Sequence, residues 1–108
     1  MSELNGKKFV AESNFTCGST EFVGIQFNYS ALGVRIKTIY ISNGAETTPT
    51  TSISLQSVDS TNGYLWTFHS SSYDITIGKK SDGSLYLAQF SYKGNGIESP
   101  IKLTERTA

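Results

Sequence analysis

The side chains able to do chemistry are few and scattered. His69 is the only histidine and Cys17 the only cysteine. A nucleophile–base pair built from them needs an adjacency that their positions do not supply. Cys17 reads as a small, semi-buried residue and His69 as part of a polar strand face. Asp59, Asp74 and Asp82 are far apart and mostly precede turns, where aspartate bonds the local backbone. "KKSDGS" lacks the series of oxygen ligands that calcium requires. No serine sits in a nucleophile elbow, and no phosphate-binding glycine loop or zinc spacing occurs. The reading is non-enzymatic, with no catalytic residue, metal ligand or cofactor assigned.

A repeated pattern is the stronger signal. "YISNGAE" at 40–46 and "YKGNGIE" at 92–98 both read Tyr-x-x-Asn-Gly-x-Glu, and Pro49 and Pro100 follow. A sugar offers hydroxyls in fixed directions and an apolar C–H face. Asn43 with Glu46, and Asn95 with Glu98, supply planar donors and acceptors, and Tyr40 and Tyr92 lie beside them as stacking surfaces. The turn glycines, Gly96 among them, allow a ligand close to the backbone. These seven residues are the candidate ligand site of a non-enzymatic carbohydrate-binding protein. The competing explanation is structural: Asn-Gly makes the turn, tyrosine pairs across strands, and glutamate is solvated.

Composition narrows the partners. Nine basic and nine acidic residues cancel, so no long-range field steers nucleic acid or an anionic membrane to the chain. A lone cysteine excludes an intramolecular disulfide and a cysteine-rich zinc site. The start "MSELNGKKFV" lacks the apolar core of a signal peptide, and no apolar run spans a bilayer. A cytoplasmic protein is expected, or a secreted one from which a leader was removed. Low net charge and unpaired strand edges permit a homodimer.

The elements that must position these residues are strands. The 108 residues suit one domain spanning 1–108, which buries roughly two-thirds of its unfolded surface. Eight β-branched and aromatic runs are expected, at 7–13, 21–29, 35–42, 51–58, 63–70, 73–79, 84–92 and 100–105. No window has helical periodicity. Alternation puts Val23, Ile25, Phe27 and Tyr29 on one face, and Tyr73, Ile75 and Ile77 on one face. Tyr64, Trp66 and Phe68 share a face, but either side of that run suits the core. Ile36 and Tyr40 lie opposite Ile39 and Ile41, which predicts a bulge or two-sided burial. "SNG", "STNG", "KSDG" and "KGNG" are hairpin signals. The expectation is an all-β, eight-stranded antiparallel meander closed into a small barrel or sandwich. "LNGKKF" against "TNGYLW", and "SISL" against "PIKL", make 4–58 and 61–105 candidate internal repeats.

Two family resemblances bear on function. The stretch from "TTSISL" at 50–55 through "NGYLW" at 62–66 to "PIKL" at 100–103 resembles the cyanovirin-type lectin repeat over about half the chain. That resemblance implies sugar binding. The family's usual cysteines are absent, and its closing Asn-Gly-x-Leu segment is missing after Leu103 unless "LNGKKF" serves by circular permutation. The end "YKGNGIESPIKLTERTA" resembles that of staphostatins, small barrel inhibitors of staphylococcal cysteine proteases. That resemblance implies the alternative: residues 94–99 as a rigid loop entering a protease cleft, with Gly96 passing the catalytic residues. Ile97-Glu98 replaces the shorter family spacing.

Overall fold

The computed structural model describes residues 4–31, 33–59 and 65–107. Ten strands follow in order: β1 (Lys8–Cys17), β2 (Thr20–Ser30), β3 (Gly33–Ser42), β4 (Ala45–Thr47), β5 (Ile53–Asp59), β6 (Leu65–His69), β7 (Tyr73–Lys79), β8 (Leu85–Tyr92), β9 (Asn95–Gly96) and β10 (Ile101–Arg106). Neighbours run β10-β1-β2-β3-β5-β6-β7-β8, and β8 closes on β10 through Ile101↔Leu87, Lys102↔Tyr86 and Leu103↔Leu85. The eight-stranded antiparallel barrel is therefore closed, which removes the edges an open sheet would expose. No helix among the described residues is long and apolar enough to cross a membrane.

The two short strands explain the ten. β4 pairs only with the far end of β3, and β9 only with the far end of β8. Each barrel strand thus folds a small hairpin back on itself before the next strand resumes the wall. The pairings β1–β2, β2–β3, β3–β4 and β3–β5 recur as β6–β7, β7–β8, β8–β9 and β8–β10.

Inward positions fill the lumen. Phe22, Ile25, Phe27, Ile36, Phe68, Ile75, Ile77, Leu87 and Phe90 are fully buried. Trp66 and Phe68 face the core, which decides the side that alternation left open. Phe9 and Phe27 meet edge to face at 5.6 Å, and Phe27 meets Trp66 at 6.4 Å. Such contacts add to the burial of apolar area that dominates the stability of the fold.

Three strand expectations change in detail. β1 runs on past the expected end at residue 13 to Cys17, and its pairing with β2 shifts register between Val10 and Phe15. The polar residues are exposed there, and Asn14 Nδ2 donates to Glu21 Oε2 at 2.7 Å across the pair. Of the bulge or two-sided burial expected in the third run, the burial is found, and a bulge lies on its neighbour: β2 has an extra residue between Phe22 and Gly24 opposite Tyr40–Ile39. That bulge turns Phe22 into the core, while Val23 is buried outside the main cluster. β3 itself stays regular and is buried on both sides, with Ile36 and Ile39 both at 1% exposure or less. The "STNG" turn lies outside the described residues.

Candidate functional site

β3 and β5 are joined at only two residue pairs, Arg35↔Ser54 and Ile36↔Ile53. Beyond Ile36, β3 continues into its hairpin with β4 and leaves β5. The wall is split there, and the inward side chains of Thr38 and Tyr40 border the split. The equivalent divergence of β8 and β10 is closed differently. Ile97 packs against the core, its N–H donating to Phe90 O at 3.0 Å. The segment facing the first split is "TPTTS" at 48–52, which carries no large apolar side chain to plug it.

The result is a cleft of about 420 Å³. Its walls are Thr20 at the start of β2, Thr38 and Tyr40, Pro49, Thr51, Ser52 and Ile53, Ser70, Ser71, Ser72 and Tyr73, and Tyr92. Ten of these twelve residues carry a hydroxyl and none carries a charge. Such a surface offers donors and acceptors that each rotate to suit a neutral polar ligand.

Two of the lining residues, Tyr73 and Tyr92, belong to an aromatic cluster. Its members include Phe22, Tyr73, Phe90 and Tyr92, with Phe22–Phe90 at 4.8 Å, Phe22–Tyr92 at 5.5 Å and Tyr73–Tyr92 at 4.7 Å. Lys93 Nζ also lies 5.2 Å from the Tyr92 ring. Tyr40 is half-buried beside them and joins no such ring pair. Its side chain lines the cleft.

Thr38 is the one buried polar side chain among the described residues, at 1% exposure. A buried hydroxyl needs a partner, and Thr38 Oγ1 shares a hydrogen bond of 3.2 Å with the Tyr73 hydroxyl. Burial pushes the Tyr73 phenol above its ordinary value, against the lowering effect of the Thr38 hydrogen bond. Tyr73 is therefore neutral and able to donate throughout the neutral range. The Ser70 Oγ accepts from the N–H groups of Ser72 and Tyr73 at 3.3 and 3.1 Å, fixing the serine turn at the rim.

The seven residues read from the repeated motif do not form two equal sites. Tyr40 and Tyr92 both line the one cleft; Asn43, Glu46, Asn95, Gly96 and Glu98 do not. The hairpins are also out of step. The first turns at Asn43 (φ 52°) and Gly44 (φ 77°), the second at Lys93 (φ 51°) and Gly94 (φ 83°). Asn95 and Gly96 instead form β9, with Tyr92↔Asn95 and Ser91↔Gly96 paired. The expectation of one shared Asn-Gly turn is corrected by two residues. A two-residue hairpin needs positive φ at both central positions, and "KG" followed by a pairable Asn meets that need earlier in the chain.

The two glutamates differ as well. Glu46 accepts a bidentate pair from Arg106 of β10, at 2.6 and 2.9 Å. The Arg106 hydrogen bonds hold its carboxyl below the usual range. Ile39 shares the outward side of β3 with Ile41, the partner of Glu46. Its complete burial and this ion pair both place the β3–β4 hairpin against the barrel's outer wall. Glu98 is exposed and has no such partner among the described residues. Asn95 Nδ2 donates to Lys93 O at 3.3 Å, which braces the second turn.

Cys17 and His69 are not brought together. Cys17 is in the core with its thiol pushed up by burial. His69 lies on the exposed outer face with its Nδ1 against Asp74. Among the described residues, no group of three or more His, Cys, Asp and Glu side chains is arranged to hold a metal ion.

In comparison with known proteins, no protein-family model, no curated protein and no solved structure matches this chain. The lectin and staphostatin resemblances rest on the quoted residues alone. Sequence reasoning missed Thr38, Tyr73 and the serine turn. The available signals were "HSSSY" at 69–73 and "TTPTTS" at 47–52, hydroxyl-rich segments that read only as strand flanks.

Proposed function

We propose that this protein binds carbohydrate, without transforming it, in the cleft between β3, β5 and the serine turn. The observation that carries the reading is the lining: hydroxyls at ten of twelve positions around three tyrosines, with no charge. Saccharides are neutral, dense in hydroxyls, and apolar on one face. The exposed face of Tyr40 suits that apolar face, and Thr38–Tyr73 and the Ser70–Ser72 rim suit the hydroxyls. A volume of about 420 Å³ suits a small ligand or one or two residues of a longer glycan. Asn43 and Glu98 are assigned no contact with a ligand in this cleft.

A glycan array followed by calorimetric titration of each hit tests this. Tyr40→Ala and Tyr92→Phe should weaken binding at least tenfold and a few-fold respectively. The pairs Asn43→Ala/Glu46→Gln and Asn95→Ala/Glu98→Gln should change it little. An array without hits, or binding that survives both tyrosine changes, removes the proposal. A homodimer remains the proposed association, with the free edges of β4 and β9 as its strand-pairing surfaces.

One observation favours the inhibitor reading as a second proposal. Glu98, Ser99 and Pro100 are exposed, and the segment is held by Ile97 N–H to Phe90 O on one side and Ile101↔Leu87 on the other. A loop held at both ends loses little freedom on binding. Gly96 is less suited to the protease cleft than its sequence position implies. A Cβ there would sit 3.2 Å from Phe90 O, so this glycine serves the close approach to β8. Papain activity unchanged at micromolar protein counts against this reading.

A further inference from the structure

The opposite end of the barrel holds a second and larger cleft, of about 590 Å³. Its floor is apolar: Phe9, Trp66, Leu85 and Leu103. These four core residues keep 3–7% of their surface exposed, whereas Phe27, Phe68, Ile77 and Leu87 keep none. Among the described residues, none covers these four side chains completely at this end. The mouth is cationic. Lys79 and Lys102 line it, and both are exposed. Among the described residues the one acidic lining side chain, Glu105, has Lys7 Nζ 3.5 Å from its Oε1. Nearby Asp82 accepts from the Ser84 N–H and Oγ at 2.9 and 2.6 Å and also feels the charges of Lys80 and Lys102, so among the described residues Lys7, Lys79, Lys80 and Lys102 outnumber the two carboxylates around this mouth.

An apolar floor beneath two lysines matches one ligand chemistry: an apolar body ending in a carboxylate. We propose that this cleft is a binding site for an amphipathic organic acid of the fatty-carboxylate type. The chain enters over Trp66 and Leu103, and the carboxylate stays at the mouth between Lys79 and Lys102. The volume lies in the range of small-molecule sites, which are mostly apolar with a few convergent polar groups. Both lysines line the cleft and are exposed; a lysine stem packs on apolar surface while its ammonium stays in water, so a cation at the rim need not be buried. This site is separate from the hydroxyl-lined cleft and does not depend on it.

Trp66 is the only tryptophan, so its emission reports on this cleft directly. Dodecanoate, kept below its micelle concentration, is titrated into the full-length protein, with dodecyltrimethylammonium as the cationic counterpart of equal chain length. The expected result is a saturable change in Trp66 emission with dodecanoate and at least tenfold weaker binding of the cation. Lys79→Glu/Lys102→Glu should weaken dodecanoate at least tenfold, with an unaltered circular dichroism spectrum. No saturable change, or equal binding of the anion and the cation, overturns the proposal. So does undiminished binding by the folded double variant. The anion–cation comparison uses the unaltered protein, so it decides the matter even where the variant fails to fold.

Discussion

The Thr38–Tyr73 hydrogen bond is the most exacting test of the cleft. Thr38 is 1% exposed and its hydroxyl meets the Tyr73 hydroxyl at 3.2 Å. Tyr73→Phe removes one partner and strands the other in the interior. A stranded buried hydroxyl costs about 1–3 kcal/mol. Thr38→Val should cost less, because Tyr73 borders the cleft and its hydroxyl turns to water. The double variant replaces both partners with apolar groups of similar shape, which is close to neutral relative to the worse single change. The two losses should therefore be non-additive by about 1 kcal/mol, an interaction expected only of groups in contact. Urea unfolding followed by fluorescence gives each free energy, and an unchanged slope confirms that the same surface is exposed. The alkaline limb gives an independent reading. Burial raises the Tyr73 pKa above its ordinary 10.0. Its contribution is therefore complete below about pH 10 and is lost as pH rises through the folded value. The wild type should lose stability there more steeply than Tyr73→Phe. Additive single losses, together with identical alkaline slopes, would refute the reasoning.

Three further outcomes are expected. Gly24→Ala puts a Cβ 2.1 Å from Phe9 O and 2.8 Å from Val10 Cα. Backbone cannot yield as a side chain does, so a loss of about 3 kcal/mol is expected. Calorimetry should show a Tm more than about 10 °C lower. Glu46→Gln weakens the clasp between the β3–β4 hairpin and Arg106. Because the Glu46 pKa is lowered in the folded state, its stabilisation is present above the ordinary 4.5 and disappears as pH falls through the folded value. Wild type and variant should thus differ in Tm at neutral pH and converge in acid; a constant difference would contradict this. Lys93→Gly relieves a non-glycine residue at φ 51° and should stabilise by about 0.5–1 kcal/mol in denaturant unfolding. A loss would mean that the second turn does not sit at Lys93-Gly94.

Much of the wall was legible because strand periodicity is local. Ile75 and Ile77 follow the two-residue alternation of a strand with one buried face, and both are fully buried. The turn at Asn43-Gly44 was legible because the pair tolerates positive φ without help from the rest of the fold. The second turn was not, because "KGNG" contains two glycines and either could turn. Pairing with the rest of β8 chose Gly94. The third run was read as a bulge or two-sided burial, and β3 has the second of these. Burial on both sides of β3 looks like a bulge in its own sequence, yet the extra residue sits on β2.

The site was half legible. Tyr40 and Tyr92 were singled out for a shared motif, and they do share a cleft. The shared motif is not the cause, since its Asn and Glu positions point elsewhere. By itself the sequence determined the all-β class, the strand order and the absence of strong net charge, because each depends on composition and short-range patterning. Only the tertiary structure decided that the barrel closes β8 on β10 and that Glu46 is held by Arg106, sixty residues away. It also decided that β3 parts from β5 beyond Ile36 while Ile97 packs into the matching place between β8 and β10. A cleft is space left by segments that fail to fill it, and that depends on packing between residues remote in sequence.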